Sequence, residues 1–245
     1  VCSAPEVSCC SEALVIVAES KTKGWKDNNV YVVKSAFDML NACADACTTA
    51  APFHRDAAAA VVPVVIEKLA DRKTKDSALS LLTALMEVAG PSLVMSKVGS
   101  AISEAKSTVA IATTLEWTSL SIIDFGAALF PLKSTCRLAH SMLSHRDSKV
   151  RAAALNILGA LYKSVGPRMR VLALPGTLTA SQSKSIEETL GKARFDPLSA
   201  DCGHPKRKVK STDGSNAAGI RPERIDLSTL LDIERTIGAL NDKSS

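Results

Sequence analysis

Two stretches of this chain, 76 residues apart, carry the same apolar pattern and the same stop signal. Residues 77–91, SALSLLTALMEVAGP, and 153–167, AALNILGALYKSVGP, pair Ala78 with Ala154, Leu79 with Leu155 and Leu82 with Leu158. They also pair Ala84 with Ala160, Leu85 with Leu161, Gly90 with Gly166 and Pro91 with Pro167, and Leu81 aligns with Ile157. Half of that spacing predicts a copy in between, and TLEWTSLSIIDFG ends at Gly126, 36 residues after Gly90 and 40 before Gly166. Upstream, AFDMLNAC (36–43) aligns with ALSLLTAL (78–85) at a spacing of 42. A unit repeated at this period cannot bury its apolar face alone, so neighbouring units must stack.

Copies at 42, 36 and 40 residues predict helical hairpins of HEAT type and an all-α solenoid. The aligned segments are the second helices; in 150–165, Val150, Ala154, Ile157, Leu158 and Leu161 form one apolar face. First helices are expected over 11–20, 54–70, 92–105 and roughly 132–144, with a kink at Pro63. Gly-Pro after the second helices stops one helix and starts the next. The composition agrees: 46% of the 245 residues are apolar but only 4% aromatic, as close helix packing favours. After about residue 170 the pattern weakens. Residues 181–193 read as a capping helix with a polar outer face. Residues 195–222 are rich in Pro, Gly, Ser and charge and read as a linker. An amphipathic helix is expected near 226–240. The division is therefore 1–195 for the solenoid, 196–224 for a basic flexible linker and 225–245 for the start of another unit. The chain begins at Val1 and reads as a segment of something longer.

No catalytic constellation is present in the sequence. There is no Gly-rich phosphate loop and no GxSxG. The histidines, His54, His140, His145 and His204, are scattered, and Cys202-Gly-His204 is a ligand-like pair without partners. Cys43 and Cys47 lie one helical turn apart but lack a second pair at zinc spacing, so core thiols are expected. Seven cysteines at irregular spacing make no disulfide framework and point to a reducing compartment. No cofactor or metal is expected, nor a membrane span, since no apolar run reaches about 18 residues.

Function then falls to a surface. The turns joining first to second helices should line one edge: SKTKGWKD (20–27), DRKTKD (71–76), SEAKST (103–108) and SHRDSKVR (144–151). Together they hold ten Lys or Arg against five Asp or Glu. Bases in turns are ordinarily just solvated, but the excess recurs along the edge. Trp25, flanked by Gly24 and Lys26, is a candidate anchor, because large rigid aromatics dominate interface energy. Trp117 sits mid-helix in an apolar pattern and is expected in the core. A net charge of +5 suits an acidic partner without choosing one.

KGWKDNNVYVVKSAFDML, SHRDSKVRAAALNILGALYKSVGP and LEWTSLSIIDFG resemble the TOG domains of the microtubule polymerase family, most closely an internal, third domain, over roughly residues 10–195. The resemblance implies a flat paddle of HEAT repeats whose turn edge binds αβ-tubulin. It also implies a further first hairpin, absent here, with its own Trp-bearing turn, and makes residues 225–245 the first helix of a following TOG domain. Carried over by position, the tubulin-binding residues would be Trp25 and Lys26, then Arg72, Lys73 and Lys75, then Lys106, then Arg146, Lys149 and Arg151. The linker bases Lys206, Arg207, Lys208 and Lys210 match family linkers that touch the microtubule lattice. The implied setting is the cytoplasm and its microtubules, at a spindle pole or centrosome.

Two rival readings use the same residues differently. A generic HEAT scaffold would bind another protein on its concave face and be indifferent to the turn edge. Nucleic-acid binding would use PKRKVK, which lacks interleaved aromatics for base stacking and could equally be a nuclear import signal.

Overall fold

Three of the second helices start after a polar residue, Thr74, Ser107 or Asp147, and end on glycine, and that punctuation sets the hairpins apart. The computed structural model describes residues 27–46, 55–175, 178–193, 195 and 206–210. The chain divides into two units, Val1–Ser211 and Thr212–Ser245, and the described residues belong to the first. The helices expected at 11–20 and near 226–240 lie outside the described residues.

In chain order the described helices are α1 (Val30–Ala46), α2 (Arg55–Lys68), α3 (Lys75–Ala89), α4 (Pro91–Glu104) and α5 (Thr108–Phe125). There follow α6 (Leu132–Met142), α7 (Ser148–Val165), the single turn α8 (Arg170–Ala173) and α9 (Ala180–Lys192). The pairs α2/α3, α4/α5 and α6/α7 are three of the expected hairpins, and α1 lies where the second helix of the first was expected. Pro91 occupies the first turn of α4, where its missing N–H costs nothing. Pro63 lies inside α2, which remains helical through it.

Gly90, Gly126 and Gly166 end α3, α5 and α7 with φ of 84°, 85° and 81°. A side chain disfavours that backbone, so glycine fixes where each second helix stops. Each cap glycine donates its N–H back into the helix, to the carbonyls of Met86, Ile122 and Tyr162. Ser107 and Asp147 cap the starts of α5 and α7 through their side-chain oxygens, and Thr179 with Gln182 forms a capping box on α9.

Packing runs row on row: α1 against α3, α5 against α7 and α2 against α4, with α9 closing on α7. Phe37, Leu40, Leu81, Leu82, Leu85, Leu115, Ile122 and Phe125 are fully buried at these contacts. Each contributes about 1.5–3 kcal/mol of transfer free energy. The central helix α5 is buried on most of its circumference. Trp117 is 6% exposed and donates its indole N–H to Thr83 Oγ1 at 3.0 Å, tying α5 to α3, which fulfils its expected core role. Cys136 is buried, and burial pushes its thiol up to about 12. Among the described residues no group of His, Cys, Asp and Glu could hold a metal ion, and no helix is long and apolar enough to cross a membrane.

Candidate functional site: the turn edge

A first helix, a short turn and an antiparallel second helix put every intra-hairpin turn at the same end of the stack. The turns at 69–74, 105–107 and 143–147 therefore share one edge, joined by residues 27–29 ahead of α1. Trp25 and Lys26 lie outside the described residues.

The second turn is shaped by its own polar groups. Asp71 accepts from the Lys73 N–H at 2.9 Å, and the buried Thr74 hydroxyl donates to the Lys68 carbonyl at 2.8 Å. That leaves Arg72 and Lys73 on the outside, both exposed, while Lys75 is half-buried at the start of α3. Lys68, at the end of α2, reaches back to the Asp27 carbonyl at 3.3 Å and joins the second turn to the first. In the third turn Lys106 is exposed beside Glu104.

The fourth turn is the most constrained. Asp147 caps α7 through the Lys149 N–H at 2.8 Å, and its own N–H donates to His145 Nδ1 at 3.1 Å. Arg151, one turn into α7, donates to the carbonyls of His145 at 2.8 Å and Arg146 at 2.9 Å. Its guanidinium is half-buried and holds the turn. Arg146 and Lys149 are left exposed at the surface. Of the expected site residues described, Arg72, Lys73, Lys106, Arg146 and Lys149 present charge outward, whereas Arg151 positions the turn.

The edge also carries apolar side chains that sequence reasoning missed. Tyr31 is 81% exposed and Val109 56% exposed. They hold the same place in their helices: Tyr31 follows Val30 after the cap Asn29, and Val109 follows Thr108 after the cap Ser107. Lys149 stands likewise behind Asp147. Side chains at this second helical position lie off the core-facing stripe, so an aromatic or aliphatic residue there is solvent-facing. The cap-relative position was the available signal.

Among the described residues, the arrangement offers exposed bases and a few exposed apolar groups along one edge. His140 and His145 both serve the scaffold. His140 Nε2 pairs with the Ala173 carbonyl at 3.0 Å; burial lowers its proton affinity, and that hydrogen bond opposes the shift.

The family described as "XMAP215/Dis1/CLASP, TOG domain" matches residues 11–190. Protein MOR1 of Arabidopsis thaliana is 29% identical over 213 residues, which is 84% of this chain and 10% of that protein. The chain thus spans about a tenth of that curated relative's length. The third TOG domain of Drosophila melanogaster Mini spindles superposes with a TM-score of 0.67 at 25% identity, covering 82% of this chain and 83% of that one. A TOG-array structure solved for tubulin recruitment and assembly by microtubule polymerases shares the fold at a TM-score of 0.60, with 14% identity over 84% of this chain and 46% of that one.

Proposed function

The chain belongs to the XMAP215/Dis1/CLASP TOG-domain family, and we propose that it binds αβ-tubulin through its turn edge, as part of a longer protein that promotes microtubule polymerisation. The observation that carries this reading is the recurrence of outward bases at successive turns: Arg72 and Lys73, then Lys106, then Arg146 and Lys149. Charges spread along one edge steer an acidic partner into register and give fast, salt-sensitive encounter. Trp25 and Lys26 would supply the anchor, with Tyr31 beside them in sequence. Residues 225–245, read as the opening helix of a further TOG domain, would make this one module of an array that raises the local concentration of tubulin. The role is binding rather than catalysis, and the place is the microtubule cytoskeleton. Lys206 and Lys208 in the basic segment are exposed and remain candidates for contact with the lattice.

Size-exclusion chromatography with soluble tubulin at low and moderate salt tests the proposal. Co-elution should weaken with salt and disappear when Lys26, Lys73 and Lys149 are reversed to Glu in a chain that melts normally. Binding that survives those reversals would refute the turn edge as the site and favour the concave face.

A further inference from the structure

At the edge opposite the turns, one stretch is acidic. Three neighbouring second helices have an acid in the last turn and no base there: Asp45 in α1, Glu87 in α3 and Asp124 in α5. A carboxylate at a helix C-terminus reinforces the negative end of the macrodipole, and the last four carbonyls have no donor within the helix. The fourth second helix, α7, differs in having Lys163 in its last turn.

Residues 206–210, Lys-Arg-Lys-Val-Lys, lie across these three ends. The Arg207 N–H donates to the Asp124 carbonyl at 3.0 Å, and the Lys210 N–H to the Glu87 carbonyl at 2.6 Å. The Arg207 guanidinium meets Glu87 Oε1 at 2.6 Å, and Lys210 Nζ lies 3.7 Å from Asp45 Oδ1. Val209 is half-buried against the core. Backbone bonds three residues apart, paired side-chain charges and an apolar contact together define a seat, which a solvated linker would not have.

We propose that residues 206–210 are a strap docked in cis, and that the acidic ends of α1, α3 and α5 form a binding site for an extended basic peptide. A second clause rests on the tubulin reading: while docked, Arg207 and Lys210 are withheld from any acidic lattice, so lattice contact by all four linker bases requires the strap to leave. Docking and lattice contact then compete for the same side chains.

Amide hydrogen exchange in the full chain tests the strap without tubulin. The Arg207 and Lys210 amides should exchange at least about tenfold more slowly than in a free peptide of the same sequence. Glu87→Lys should abolish that protection, Glu87→Lys combined with Arg207→Glu should restore it, and the charge-matched Glu116→Lys should leave it unchanged. Free-peptide exchange in the parent chain, or protection indifferent to Glu87→Lys, would overturn the strap. A labelled peptide of residues 204–212 should bind the full chain bearing Arg207→Glu and Lys210→Glu, and should not bind once Glu87→Lys is added. No binding to the first variant would overturn the peptide site. Microtubule co-sedimentation tests the second clause alone: Glu87→Lys should increase it and Glu116→Lys should not. Equal pelleting would overturn the competition and leave the strap standing.

Discussion

Replacing Arg151 separates the shape of the fourth turn from the charge it displays. Its guanidinium donates to two turn carbonyls, His145 at 2.8 Å and Arg146 at 2.9 Å, from a half-buried site. A hydrogen bond from a charged donor contributes about 1.5–3 kcal/mol when sheltered, and exposed charged pairs about 0.2–1. Both bonds leave one nitrogen that is partly in water, so about 1–2 kcal/mol for the pair is expected. For a domain of this size each kcal/mol moves the melting temperature by about 2–4 °C, so Arg151→Ala should lower Tm by roughly 2–8 °C. Lys149 is exposed, and its contact with Asp147 is through its backbone N–H, which any residue supplies. Lys149→Ala should therefore change stability by less than about 0.5 kcal/mol while weakening tubulin binding. Arg151→Lys keeps the charge but loses the planar fork, and should melt like the alanine variant. Thermal melts by circular dichroism, paired with tubulin co-elution, read both effects. If Arg151→Ala melted within about 1 °C of the parent, the assignment of Arg151 as a positioning residue would fail.

Other outcomes follow from the backbone and from buried titrating groups. Gly166→Ala should destabilise by roughly 2–5 kcal/mol in urea unfolding, since φ is +81° and a Cβ would sit 2.8 Å from the Phe195 ring. Gly99→Ala, at a position in α4 with nothing within 4 Å, should stabilise by about 0.5–1 kcal/mol. Burial raises the Cys136 thiol from its ordinary 9.0 to about 12 in the folded chain. Stability should therefore fall above pH 9 by up to about 1.4 kcal/mol per unit, a slope that Cys136→Ala removes. For His140 the sign is opposite on the pH axis: burial lowers its folded proton affinity, so the unfolded chain takes up the proton first. Stability should drop as pH falls through the ordinary histidine range, and urea midpoints for His140→Gln should show a flatter dependence.

The hairpin array was legible because its signals are local and repeated. Apolar residues spaced three and four apart placed α7 at 150–165, and it spans Ser148–Val165. The same reading placed α2, α4 and α6 to within two residues at either end. Glycine at positive φ marked the helix stops correctly, since almost no other residue accepts that backbone. The start of α1 was less visible: its first residues, Val30, Tyr31 and Val32, have no apolar face, and the boundary is set by Asn29 accepting the Tyr31 N–H. For the site, the charges of the turns were legible, but their division of labour was not. Arg151 and Lys149 are both bases in one turn, and only the fold of that turn decides that the first points back to the carbonyls. The contact of Arg207 with Glu87 spans 120 residues and has no local signature at all.

The two edges differ because their connections differ. On the turn edge, links of several residues satisfy helix ends with their own side chains: the Thr74 hydroxyl donates to the Lys68 carbonyl at the end of α2, and Ser107 and Asp147 cap the starts of α5 and α7, so the remaining positions are free to carry surface charge. On the opposite edge Pro91 follows Gly90 directly, and Gly126 leads straight into a 3-10 turn at Ala127–Leu129. A connection that short has no side chain with which to cap the helix behind it. The glycine N–H groups satisfy Met86 O and Ile122 O, which leaves Glu87 O and Asp124 O, beside two carboxylates, in need of donors from elsewhere. A basic extended segment supplies backbone donors and cations together, and 206–210 does so at both carbonyls. At α7 Lys163 places a base within the helix itself, and the Phe195 ring packs against Gly166. The need for an external strap therefore ends at α5, which is where the strap begins.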